Sequence, residues 1–171
     1  MATYTYDENP QETKQFFYVL AKLSSVSPAT SPNNTNCADI EVMKTAFGTN
    51  DVTTDWVLLG ALEDFNMNTE EEEAVNDTAG NKIKLSEMVT VEMTDLSQNY
   101  TALRGFDRKS VDYMVIDPSI KDGSNNIKYT QVANVITSVL RSLTDNKWNT
   151  KVMAERKAIN IDDFVTEGVL A

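Results

Sequence analysis

The feature that most limits what this chain can fold into is a two-residue period. Over Met88–Thr94, Val89, Val91 and Met93 alternate with Thr90, Glu92 and Thr94. Such spacing puts apolar side chains on one face of a strand and polar ones on the other. Phe16–Val26 repeats it, with Phe17, Val19, Ala21 and Leu23 interleaved between Phe16, Tyr18, Leu20 and Lys22. Both faces are apolar at first, which suits a strand with one deeply buried end. Shorter stretches follow the rule: Ile40, Val42 and Lys44; Asp55 to Leu59, ended by Gly60; Phe65, Met67 and Thr69; Val111, Tyr113 and Val115, ended by Pro118; and, weakly, the tail from Ile159 to Ala171. Asn (16 residues) and Thr (19 residues) together fill a fifth of the 171 positions. Thr favours pleated, half-buried surface and Asn favours turns, so the chain reads as mainly β with many connections.

The period changes once without ambiguity. Leu96, Tyr100 and Leu103 fall at helical spacing, with Ser97 placed as an N-cap and Gly105 as a stop, which predicts one short helix over 97–104. Segment 129–143 fits two templates. Val132, Val135, Ile136, Val139, Leu140 and Leu143 match a helix, but β-branched residues dominate, and Thr144-Asp145-Asn146-Lys147 reads as a turn into a partner strand through Trp148, Thr150 and Val152. The hairpin is the favoured reading. Residues 27–38, SPATSPNNTNCA, make a long Pro- and Asn-rich loop, Asp77–Asn81 and Lys121–Asn126 are turns, and residues 1–14 read as an N-terminal arm. The whole, 1–171, is expected to be one domain.

Charge and composition narrow the chemistry. Fifteen Lys and Arg face 26 Asp and Glu, a net charge of −11, and there is no His. Absence of His removes histidine general bases, His-containing zinc sites and Ser-His or Cys-His nucleophile pairs. So acidic a surface repels phosphate backbones and argues against a nucleic-acid reader. Cys37 is the single cysteine, so no intrachain disulfide forms and its thiol has no histidine to activate it. The glycines form no phosphate-binding loop, and Asp117–Asn126 lacks the alternating acids of a calcium loop. No catalytic residue, metal or cofactor is therefore expected. The start lacks a basic and apolar leader, and the longest apolar-like run, Trp56 to Leu62, falls well short of the about 20 residues that span a bilayer. The chain reads as soluble and made in the cytoplasm.

The sharpest local feature is Glu70, Glu71, Glu72 and Glu73. Four adjacent carboxylates repel one another, and exposure relieves the repulsion. The ordinary reading is a solvated rim; the functional one is an anionic surface facing a polyanion. Carboxylate pairs suited to glycoside hydrolysis stay open in principle, with no pair standing out.

Residues 55 to 117 run in order through DWVLLGALEDFNMNTEEEEAV, a Gly-containing turn, SEMVTVEMTDLSQNYTALRGF and KSVDYMVIDP. A strand ending at Gly, an acidic strand and turn, a strand of V-T-V-E-M-T type, a short helix closed by Gly and a further strand follow one another. In that order and character the block, about a third of the chain, resembles bacteriophage tail tube proteins and related virion structural proteins. The resemblance implies a β-sandwich or barrel with one short flanking α-helix and extended arms. It also implies a non-enzymatic subunit of the virion tail, made in the host cytoplasm. Copies would join edge to edge into hexameric rings, and rings would stack into a tube with other tail proteins. DNA would pass an acidic lumen without specific binding during genome ejection, with Glu70–Glu73 lining the lumen or the ring-to-ring face. Other virion roles (tail terminator, head-completion or decoration protein) fit the same pattern, and a β-sandwich carbohydrate-binding module or glycosidase is the rival from another class.

Overall fold

The structure, a computed structural model, describes residues 3, 18–61, 66–93, 100–144, 146–158 and 163–171. The expected arm 1–14 lies outside them except for Thr3, which bridges to Asp51; Phe16, Phe17, Phe65, Leu96 and Ser97 lie outside them as well.

Eight strands build one antiparallel sheet: β1 (Tyr18–Leu23), β2 (Val57–Ala61), β3 (Asn66–Asn76), β4 (Lys82–Met93), β5 (Ser110–Lys121), β6 (Ile127–Thr144), β7 (Lys147–Ala158) and β8 (Val165–Val169). Their order is β2-β1-β5-β6-β7-β4-β3, with β8 alongside the first part of β6. The mainly β class is thus what the alternation predicts. All eight belong to one sheet, and among the described residues no ladder joins its end strands β2 and β3.

The ambiguity at 129–143 resolves as the hairpin. Ile136 to Thr144 of β6 pairs residue by residue with Lys147 to Glu155 of β7, turning through Asn146 at φ 62°. Helical spacing of the apolar residues arises because β6 bulges. Tyr113 faces Val132 and Val111 faces Val135, so β6 carries one more residue than β5 across the same step. Asn134 takes up the excess at φ 56°, a left-handed conformation that Asn tolerates better than most residues. Val132 before the bulge and Val135 and Val139 after it therefore all point into one core.

That inner core gathers Val19 and Ala21 of β1, Leu59 of β2, Val89, Val91 and Met93 of β4, Tyr113 of β5 and Val152 of β7. The cover is a helical turn over Tyr100–Leu103 that continues as a 3-10 turn over Arg104–Phe106 and buries Ala102, Leu103 and Phe106. Gly105 does not terminate a helix here. It lies within the 3-10 turn against Val52, where an added Cβ would stand 2.4 Å from Val52 Cγ2.

Three further expectations need correction. Ile40, Val42 and Lys44 are not extended but belong to a helix, Ile40–Phe47. The Asp39 carboxylate caps it by accepting the Val42 N–H at 3.0 Å, and Met43 and Phe47, one turn apart, bury one face. Among the described residues the sheet therefore carries two short helices, not one. Pro118 does not end its strand, which runs on to Lys121, and Gly60 lies inside β2. Pro118 lies in a stretch of irregular register between Ile116 and Lys121, where the ladder does not require its missing N–H.

The Ile40–Phe47 helix covers part of the outer sheet face. Phe47 and Met43 pack with Leu20, Leu58, Met114, Ile116 and Ile127 in a second apolar cluster, closed by Cys37, Trp56 and Leu170. Asn34 ties the 27–38 loop to the chain end: its side chain donates to Leu170 O at 3.0 Å and accepts from Ile127 N at 2.8 Å.

Candidate functional site: an acidic edge strand and the groove beside it

Glu70–Glu73 lies within β3, the end strand of the sheet, which pairs only with β4 among the described residues. Glu70 faces Met88 and is exposed, Glu71 faces Glu87 and Glu73 faces Ser86. Register shifts between Glu71 and Glu73, so Glu72 has no cross-strand partner in the ladder. A bulge and a run of charge are two devices that blunt an exposed sheet edge against uncontrolled pairing. The run is thus part of a strand, not a loop rim.

Beside this edge, the outer face changes character. Met88, Ser110, Asn134, Ile136, Glu155, Arg156 and Lys157 line an open groove of about 670 Å³. A recess of about 450 Å³ continues it, lined by Leu23, Ser24, Ser25, Lys109, Ser110 and Asn134. Met88 stands opposite Glu70 on one side and Lys157 on the other, so the acidic edge and the groove share one face. Sequence reasoning missed the groove because its residues come from five separate segments. The Asn134 bulge that joins them has no signature in a run of β-branched residues.

A buried polar cluster holds the groove in shape. Asp112 accepts from Ser24 Oγ at 2.6 Å and from Asn134 N at 2.8 Å, and it pairs with Lys22 at 3.0 Å. The pair is largely buried, with side chains 13% and 10% exposed. Its carboxylate satisfies the bulge N–H, while Arg156 donates to the bulge carbonyl of Asn134 at 2.9 Å and stacks its guanidinium over Phe164. Both backbone groups of the irregular residue are therefore met by charged side chains, the stronger class of hydrogen bond.

Elsewhere Asp117 and Asp122 are occupied by their own turns. Asp122 Oδ1 accepts from Ser124 N and Asn126 N, and Asp117 Oδ1 accepts from Ser119 N. Both are Asx turns, in which the side chain meets the backbone N–H groups that follow it. The Asn126 N–H above all holds the Asp122 carboxyl below its ordinary range. Cys37 is fully buried, and desolvation pushes its thiol up to about 11, so it stays protonated at neutral pH. Among the described residues no helix is long and apolar enough to cross a membrane.

No known protein family, curated protein or solved structure matches this chain.

Proposed function

We propose that this chain is a structural subunit of a bacteriophage tail tube, built to join copies of itself into stacked, hexameric rings that conduct DNA during genome ejection. The observation that carries the reading is the eleven-residue edge strand β3, open on its outer side among the described residues and bearing the acidic run. A free edge of that length is either a liability or a joint, and completion by a neighbouring copy turns it into a joint. The exposed Ile136, Leu140 and Met153 on the outer face add apolar area for such a contact. A net charge of −11 suits a wall that DNA slides past. The order of strands and turns over residues 55 to 117 supports the virion role. No catalytic step is assigned to the chain.

Negative-stain microscopy of the purified protein, alone and with virion partners, tests this. Rings and tubes are expected; a chain that stays monomeric at high concentration overturns the reading. Rings that never stack would instead fit a terminator or head-completion protein. In assembled particles, replacing Glu70–Glu73 with Lys should impair DNA ejection, and normal ejection removes the run from the lumen.

A further inference from the structure

The two ends of β6 have opposite shapes. At its far end the β6–β7 hairpin outruns the rest of the sheet: the β5 ladder stops at Ile136 and the β4 ladder at Val152. From Leu140 to Lys151 no third strand lies beside either edge among the described residues. A two-stranded ribbon on its own is marginal in water and gains stability from a third strand or a packed face. Leu143 lies, by alternation, on the same face as the buried Val135 and Val139, yet it is 59% exposed.

At the near end, β5, β6 and β8 lie side by side and form an open recess of about 360 Å³. Val115, Ile120 and Tyr129 give it apolar walls, and Asp117, Lys128 and Glu167 add charge. Such a mixture is the usual makeup of the core and rim of a protein–protein contact. Ile120 and Val169, which faces Lys128, are 52% and 45% exposed. Strand β8 forms one wall and has no strand on its outer edge among the described residues. Its 5 residues match in length the open β6 edge of the ribbon, Leu140–Thr144. We infer that the β6–β7 ribbon of one copy enters this recess on the next, pairing beside β8 and burying Leu143 among Val115, Ile120 and Tyr129.

A second copy is the occupant because one strand carries both halves of the joint. Lys128 and Leu140 are separated by roughly 40 Å of extended chain, so a single copy cannot bring its own ribbon and recess together. A contact between unlike surfaces repeats along one direction instead of closing as a pair. Edge pairing supplies main-chain hydrogen bonds, and the recess selects the side chain. The inference rests on the reading of stacked rings above and names the contact between successive copies.

The experiment uses full-length chains carrying Leu143→Cys together with Ile120→Cys or Val169→Cys, oxidised and run on non-reducing gels. Native Cys37 is fully buried and stays out of the exchange. Double variants are expected to give a ladder of dimers, trimers and longer species, and a mixture of the two single variants should stop at a mixed dimer. Leu143→Cys with Ala79→Cys, in the exposed turn between β3 and β4, is the control. A ladder no stronger than the control's from either pair, or no mixed dimer, overturns the inference. Leu143→Asp and Ile120→Asp alter exposed positions, so thermal melts should not move. By sedimentation each should associate at least about tenfold more weakly than Ala79→Asp, and equal association overturns the inference. The two readings separate: a ladder from particles that never form rings sinks the tube alone, whereas rings and tubes without the ladder sink this contact alone.

Discussion

The two halves of the outer sheet face make an instructive pair. Where β1, β2, β5 and the start of β6 meet, the Ile40–Phe47 helix and the loop before it lie on the sheet, and Leu20, Leu58, Ile116 and Ile127 are fully or almost fully buried. Past the Asn134 bulge, the same face of β6 and its neighbour β7 has no such cover among the described residues, and Ile136, Leu140 and Met153 are 55%, 49% and 40% exposed. Strand β6 runs through both. Burial is therefore set by what lies on the sheet and not by the strand's own composition.

The largest expected contrast is between apolar truncations in the two halves. Phe47→Ala should cost about 3–5 kcal/mol of unfolding free energy, as emptied aromatic sites usually do. Leu140→Ala, on the uncovered half, should stay within about 0.5 kcal/mol. Urea denaturation of both reads this directly, and equal losses would mean that the uncovered half is packed in the isolated chain.

Next come the two ion pairs. Asp112→Ala would strand Lys22 in a largely buried place and remove the partner of the bulge N–H, at roughly 3 kcal/mol or more. The Lys151–Glu92 pair, 2.7 Å long but 38% and 39% exposed, should give at most about 1 kcal/mol in a double-mutant cycle. A smaller effect probes the bulge that divides the halves. Asn134→Ala should lose about 1 kcal/mol because Ala resists φ 56°, while Asn134→Gly should lose less.

The smallest effect is acid sensitivity of the turns. Backbone N–H groups at Thr53, Asn81 and Asn126 hold the carboxyls of Asp51, Asp77 and Asp122 below their ordinary value. A carboxyl with a lower folded value stabilises the fold above its unfolded value of about 4 and loses that contribution as pH falls through the folded one. Stability should thus fall below about pH 4, and Asp77→Asn should flatten the fall slightly. An unchanged slope would show that the turn at Asp77–Asn81 does not depend on the ionised form.

These contrasts also mark how far the residues alone could be read. Val89, Val91 and Met93 announce a strand and its buried face because a period of two has only one such solution, and all three are buried. Asp77–Asn81 announces its turn because the Asp77 side chain accepts its own neighbours' N–H groups, whatever lies around it. Ile40, Val42 and Lys44 misled because alternation over three residues fits a helix with only one buried side. The decisive partners, Leu58 and Ile116, are distant in sequence. Glu70–Glu73 was visible as a charge run, but its place on an end strand depends on β2 pairing with β1 rather than with β3.

The sequence by itself determined the mainly β class, the turns and the acidity, since period, backbone preference and charge act locally. Only the tertiary structure decided the strand order, the Asn134 bulge and the covered and bare halves of one face. Each of those depends on hydrogen-bond and packing partners far apart in the chain, which no local pattern encodes.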